Sequence, residues 1–263
     1  MQNLPSLANL LSAYNIVVYM LVLTRISGMF VSAPFFSTLS MPNMVKVWFC
    51  ALIAFIFYPL VVASKSYIVP HGMLEFTILL IIEFFVGYLI GFVANLIIEA
   101  VRMAGNILSI QTSLSIASAL DPATGEATDE LTRLYIYLTL LVFLAVGADK
   151  MLFASVFSSF SAIPMGVFPL FDHNLVQGLL LLFAQLFKIA FGVALPIFAV
   201  LLICDAILGL MSKMMPTMNV YMVAIPVKIY IGLILIFIFL SPTTTYLTQV
   251  IKNYFQAIWA LFS

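Results

Sequence analysis

The chain has 263 residues, 65% of them hydrophobic and only 8% charged, with ten basic and ten acidic side chains. A soluble domain carries about 25% charged residues, so the composition excludes an ordinary soluble domain and predicts an integral membrane protein. The zero net charge leaves no basic surface of the kind that binds nucleic acid.

Met1-Gln2-Asn3 lacks the basic start of a signal peptide, and the first basic residue is Arg25. Insertion without N-terminal cleavage is therefore expected. The first apolar stretch runs from about Leu7 to Ala33 and stops at Pro34, which cannot continue a helix. Val45 to Ala63 has the ~20-residue length that a bilayer span needs, with Pro59 near its end. A break at Lys65, Pro70, His71 and Gly72 leads into a third run, from Met73 past Val101. At ~1.5 Å per residue that run outreaches the hydrocarbon core.

Leu134 to Ala148 and Met151 to Phe160 are shorter apolar pieces, split by Gly147 and Asp149-Lys150. Leu175 to Leu210 is again too long for one ordinary span and is interrupted by Pro196. It reads as one kinked helix or two joined pieces. Val220 to Leu240 is the last full span, with Pro242 expected to end it. In the tail, Leu247, Val250, Ile251, Tyr254, Phe255, Ile258 and Phe262 recur at helical spacing. This pattern predicts an amphipathic helix for a membrane surface or a partner's groove. The whole reads as one all-α domain over residues 1–263, with about six hydrophobic spans and a surface helix. Basic residues are scattered too thinly for the positive-inside rule to orient it.

Charges inside apolar runs cost ~2.5–3.5 kcal/mol each at a helix centre. Arg25, Glu83, Lys188, Asp205 and Lys228 are of this kind, and pairing with each other or with partner subunits is the reading favoured over a proton relay. Glu83, Gly87, Gly91, Asn95 and Glu99 recur every fourth residue, which places them on one drifting helix face. Gly87 to Gly91 is a GxxxG, which lets another backbone approach closely. The stripe is expected to pack on a helix of this chain or of a neighbour. Arg102 can pair with Glu99 within the helix. Cys50 and Cys204 lie in apolar runs and read as small hydrophobes. No HExxH, Walker loop or supported Ser-His-Asp set is present. No catalytic site, cofactor or metal is expected.

The segment Gln111 to Gly125, QTSLSIASALDPATG, is the most unusual. In hydrocarbon its backbone must be satisfied by protein or water, so it belongs beside a cavity, a pore or a partner. A self-sufficient small-solute transporter or channel is the alternative. It would want inverted repeats with matching broken helices, and Pro196 has no counterpart in the first half.

Three ordered blocks resemble the FliR family of type III secretion export-gate proteins. The first is Arg25-Ile26-Ser27-Gly28 with Ala33-Pro34 and Pro42. The second is Ser115-Ile116-Ala117-Ser118-Ala119-Leu120-Asp121-Pro122. In the third, Pro196, Asp205 and Gly209 precede Pro216-Thr217-Met218-Asn219-Val220-Tyr221 and Pro226-Val227-Lys228-Ile229 with Gly232. Two departures stand out. Val146-Gly147-Ala148-Asp149-Lys150 replaces a Gly-His-type pair, and Lys213 and Thr217 stand where many members carry Arg and Gln.

The resemblance implies a FliP-like part fused to a FliQ-like hairpin, packed as tilted hairpins. It implies assembly with FliP, FliQ and FlhB-type proteins in the inner membrane, within the flagellar basal body and among membrane lipids. Unfolded rod, hook and filament subunits would pass through the gate, without catalysis by this chain. Arg25, Glu83, Gly87, Gly91, Asn95, Glu99, Asp205, Asn219 and Lys228 would then serve subunit packing. Gln111–Gly125 would be a plug. Ser113, Ser115 and Ser118 leave room for a moving chain, while Ile110, Leu114 and Ile116 exclude water. Asp121, Pro122 and Gly125 turn the exit.

Overall fold

A computed structural model describes residues 13–34, 36, 42–64, 70, 72–115, 130–166, 173–215 and 220–261. Among the described residues there are seven α-helices and no strand: α1 (Ala13–Ser32), α2 (Asn43–Ser64), α3 (Met73–Gln111), α4 (Glu130–Val146), α5 (Ala148–Ala162), α6 (His173–Met214) and α7 (Val220–Leu261). By length and composition five of them can cross a membrane, or six with α4 and α5 counted as one broken span. The chain is an all-α integral membrane protein. Its outward faces are apolar, as with Trp48, Phe55, Leu181 and Phe237, which are 73, 67, 66 and 80% exposed. Faces of this size are stable only against lipid or other protein.

Two expectations about helix ends are corrected. Pro242 does not end the last span, because α7 continues through it to Leu261, as it does through Pro226. A proline removes one N–H donor, and in membrane helices neighbouring side chains re-satisfy the freed groups. The carbonyl freed by Pro242 is that of Ile238, four residues earlier; the Thr244 and Thr245 hydroxyls bond just beside it in the chain, to the Ser241 carbonyl, at 2.8 and 3.1 Å. The amphipathic tail is therefore the last part of a 42-residue helix, and its apolar face is turned inward. Leu247, Ile251, Tyr254, Phe255 and Ile258 are all 2% exposed or less, so this stripe is core and not a surface anchor. Pro196 likewise lies inside the single helix α6.

The helices gather into two compact units. The first comprises residues 1–95, 147–182 and 253–263; the second comprises 96–146 and 183–252.

In the first unit, α1 and α3 meet backbone to backbone. A Cβ on Gly28 would strike the Phe84 carbonyl oxygen, one on Gly87 the Arg25 carbonyl oxygen, and one on Gly91 the Ser32 hydroxyl. The close approach lets the Ser32 hydroxyl reach the Tyr88 carbonyl at 2.8 Å. α2 packs on α1, where the Tyr19 hydroxyl donates to the Ala51 carbonyl at 3.1 Å. Phe30 gathers the rings of Phe36, Phe49 and Phe153 around it, with centroids 4.1, 5.7 and 6.2 Å away.

The second unit holds a large cluster of Val101, Ala104 and Leu108 of α3; Leu131 and Tyr135 of α4; Val193, Ile197 and Leu201 of α6; and Ile236 and Leu247 of α7, with a smaller one at Ile98, Ile136 and Leu140. Here too glycines admit a neighbour. Gly105 faces Thr132, Gly192 the Tyr246 ring, and Gly232 the Thr112 methyl.

Candidate functional site

The small-residue segment begins at a built anchor. Gln111 is the last residue of α3. Its amide Nε2 donates to Asp205 Oδ2 on α6 at 2.7 Å. The other oxygen of that carboxylate, Oδ1, takes Lys228 Nζ from α7 at 2.8 Å. One carboxylate thus joins three helices, each of its oxygens with its own donor. One turn beyond Lys228, Gly232 is bare, and the Thr112 side chain fills the space. The Pro-Val-Lys-Ile-x-x-Gly block therefore has a local reason: at i and i+4 its lysine and glycine share one face of α7. One grips the partner by charge and the other lets it come close.

The chain leaves this anchor through a strained residue. Ser113 has φ 64°, the single positive φ on a non-glycine among the described residues. Helices often end in this left-handed conformation, but on Gly or Asn; an ordinary L-residue loses ~1–2 kcal/mol there. The turn is held by Thr112 N–H to the Leu108 carbonyl at 2.8 Å and Ser113 N–H to the Ile110 carbonyl at 3.2 Å. Thr112 and Ser113 are buried, Leu114 and Ser115 half-buried, and Ile110 is exposed. Ile116, Ser118, Asp121, Pro122 and Gly125 lie outside the described residues, as does Asn219.

Asp205→Ala should leave Lys228, whose side chain is 13% exposed, without its counter-charge. We expect a loss of about 1–2 kcal/mol, less than for a fully buried pair because the Asp205 side chain is 38% exposed and screened. Asp205→Asn keeps an acceptor for Gln111 and should cost less. Thermal melting of the detergent-solubilised protein measures both.

The other intramembrane charges form a separate knot inside the first unit. Arg25 and Glu83 are both 0% exposed, with Nε and Oε2 2.6 Å apart. Arg25 Nη1 donates to the Ser159 hydroxyl and Nη2 to the Ile163 carbonyl, each at 3.2 Å. Its carbon Cζ stands 4.3 Å from the centroid of the Phe160 ring. Glu83 Oε1 accepts from the Gly166 N–H at 3.1 Å. Arg25, Glu83, Gly87 and Gly91 are thus engaged within the chain, where the sequence left a neighbour's helix equally open. Asn95 is half-buried, and Glu99 pairs with Arg102 at 3.5 Å. Lys188 is exposed and makes no ion pair among the described residues.

Sequence reasoning singled out the charges but missed their neutral partners. Ser159, Ile163 and Gly166 contribute a hydroxyl, a carbonyl and an N–H, and residue type alone does not mark such groups.

Long apolar helices that carry paired charges and close glycine contacts define a helical integral membrane protein. The family described as "Bacterial export proteins, family 1" matches residues 16–254, and the chain belongs to it: this is the FliR family. The "Flagellar biosynthetic protein FliR" of Bacillus subtilis (strain 168) is 29% identical over 240 residues, covering 90% of each chain. That of Escherichia coli (strain K12) is 28% identical over 215 residues, covering 82% of this chain and 81% of its own. The "Yop proteins translocation protein T" of Yersinia pestis is 30% identical over 226 residues, covering 84% and 85%.

Proposed function

We propose that this chain is a subunit of the type III protein export gate of the bacterial inner membrane, in a flagellar basal body. There it assembles with FliP, FliQ and FlhB-type proteins around a conduit for unfolded rod, hook and filament subunits. The anchor at Gln111, Asp205 and Lys228 carries the reading. It holds the root of the segment 111–125 on three helices while Ser113 turns the chain off the end of α3. A plug requires such a fixed base. The chain works by assembly and by opening, not by catalysis. Its relatives bear flagellar and translocation names, and the many exposed apolar side chains provide faces for sister subunits. Lys188 would meet a carboxylate of one of those subunits.

Deleting Ser113–Ala119 should leave the protein co-purifying with FliP and FliQ while making the membrane leaky to small solutes. Dye or ion flux through vesicles holding the assembled complex measures this. Unchanged permeability, with export continuing, would refute the plug.

A further inference from the structure

Between α1 and α2 lies a cleft of about 740 Å³, within the 300–1,000 Å³ typical of small-ligand sites. Its walls are apolar, built from Leu23, Phe30, Val31, Val47 and Cys50. The polar groups along the walls are spent internally: the Ser27 hydroxyl donates to the Thr24 carbonyl at 2.8 Å and the Tyr19 hydroxyl to the Ala51 carbonyl at 3.1 Å. Two lining side chains differ. Asn43 and Lys46, both in the first turn of α2, make no side-chain hydrogen bond or ion pair among the described residues. The half-buried Lys46 puts a lone cation on one end of an otherwise apolar channel.

Its place at one end of an apolar run fits a headgroup. The apolar span of α2 begins at Asn43, so Lys46 sits roughly 5 Å inside it at 1.5 Å per residue. Trp48, 73% exposed, is of the residue type that settles at the membrane–water boundary. A solute with a long apolar body and one anionic group at its end matches both ends of the cleft.

We propose that the α1–α2 cleft binds one acyl chain of an anionic phospholipid, with Lys46 on the headgroup phosphate. The site lies in the first unit and is independent of the plug. A single basic residue near an anionic headgroup contributes roughly fivefold in affinity.

The test is native mass spectrometry of the full chain in its purified complex, titrated with phosphatidylglycerol. One lipid per chain should bind. Lys46→Gln should weaken it about fivefold, and Lys46→Arg should retain it. Phosphatidylcholine with the same acyl chains should bind more weakly and be indifferent to Lys46→Gln. Ala51→Leu, which narrows the cleft, should weaken both lipids while leaving the melting temperature of the complex near that of the parent. Equal affinity of Lys46→Gln for phosphatidylglycerol overturns the proposal. So does Lys46-dependent binding of inorganic phosphate alone, which would make the site a free-anion site. Absence of bound lipid, together with cross-linking of Cys50 to a neighbouring subunit, would assign the cleft to a protein contact and equally overturn it.

Discussion

Arg25→Ala should destabilise the protein by about 3–5 kcal/mol, because it strands the Glu83 carboxylate in a site with no access to water. Both side chains are 0% exposed, so no solvent screening softens the loss. The arginine also ties Ser159 and Ile163 of the α5 region to α1, and those acceptors would lose their donor together. Glu83→Ala should be comparably damaging, since it leaves the guanidinium buried without its counter-charge. The double variant Arg25→Met/Glu83→Leu separates charge from packing. It removes both charges at similar volume and should recover much of the loss, because replacing both members of a buried pair is often near neutral. Monodispersity after heating in detergent, read by fluorescence-detected size exclusion, ranks the variants. A double variant no better than the worse single would show that the hydrogen bonds to Ser159, Ile163 and Gly166, and not the buried charge, set the cost.

The second large effect comes from one methyl group. In Gly87→Ala the new Cβ meets the Arg25 carbonyl oxygen, with the carbonyl carbon at 2.7 Å. Both are backbone atoms, so α1 and α3 must separate for the side chain to fit, and over-packing of this kind costs about 1–3 kcal/mol. Moving α1 also stretches the Arg25–Glu83 bond, so the upper end of that range is expected. Gly232→Ala meets the Thr112 methyl, a side chain that can rotate, and should cost less. Gly209 has nothing within 4 Å; Gly209→Ala should be neutral or stabilising by up to about 1 kcal/mol, since glycine is a poor helix former. Melting temperatures in the order Gly209→Ala, Gly232→Ala, Gly87→Ala, from highest to lowest, test the series.

The all-α membrane fold was legible from composition and run length alone, because hydrocarbon leaves the backbone few alternatives. The pairing of intramembrane charges was legible in kind for four of the five, the exposed Lys188 making no ion pair among the described residues. Which charge meets which was not, as Arg25 and Glu83 are 58 residues apart. Proline misled at position 242: its cost is local, and the packing of Leu247 and Ile251 outweighs it. The tail misled for a different reason. An amphipathic stripe reports that one face is sheltered, without saying by what, and here the shelter is the protein's own interior. At the candidate site, the sequence marked Gln111 and Ser113 as the start of something unusual. It held no sign that Asp205 and Lys228, each flagged separately as an expensive charge, converge on that same glutamine. Only the tertiary arrangement joins them.

The two charge-and-glycine couplets, Arg25 with Gly28 on α1 and Lys228 with Gly232 on α7, have a consequence beyond the energy of their contacts. Apolar helices in a membrane can slide along one another cheaply, because a displaced leucine meets another leucine or a lipid tail of equal apolarity. A shift of one turn, ~5.4 Å, would therefore go almost unnoticed by the apolar faces. It would not go unnoticed by a couplet, since the same shift parts an ion pair and drives a side chain into a place where only hydrogen fits. Each couplet acts as a vernier mark, reading out one longitudinal alignment and rejecting the neighbouring ones.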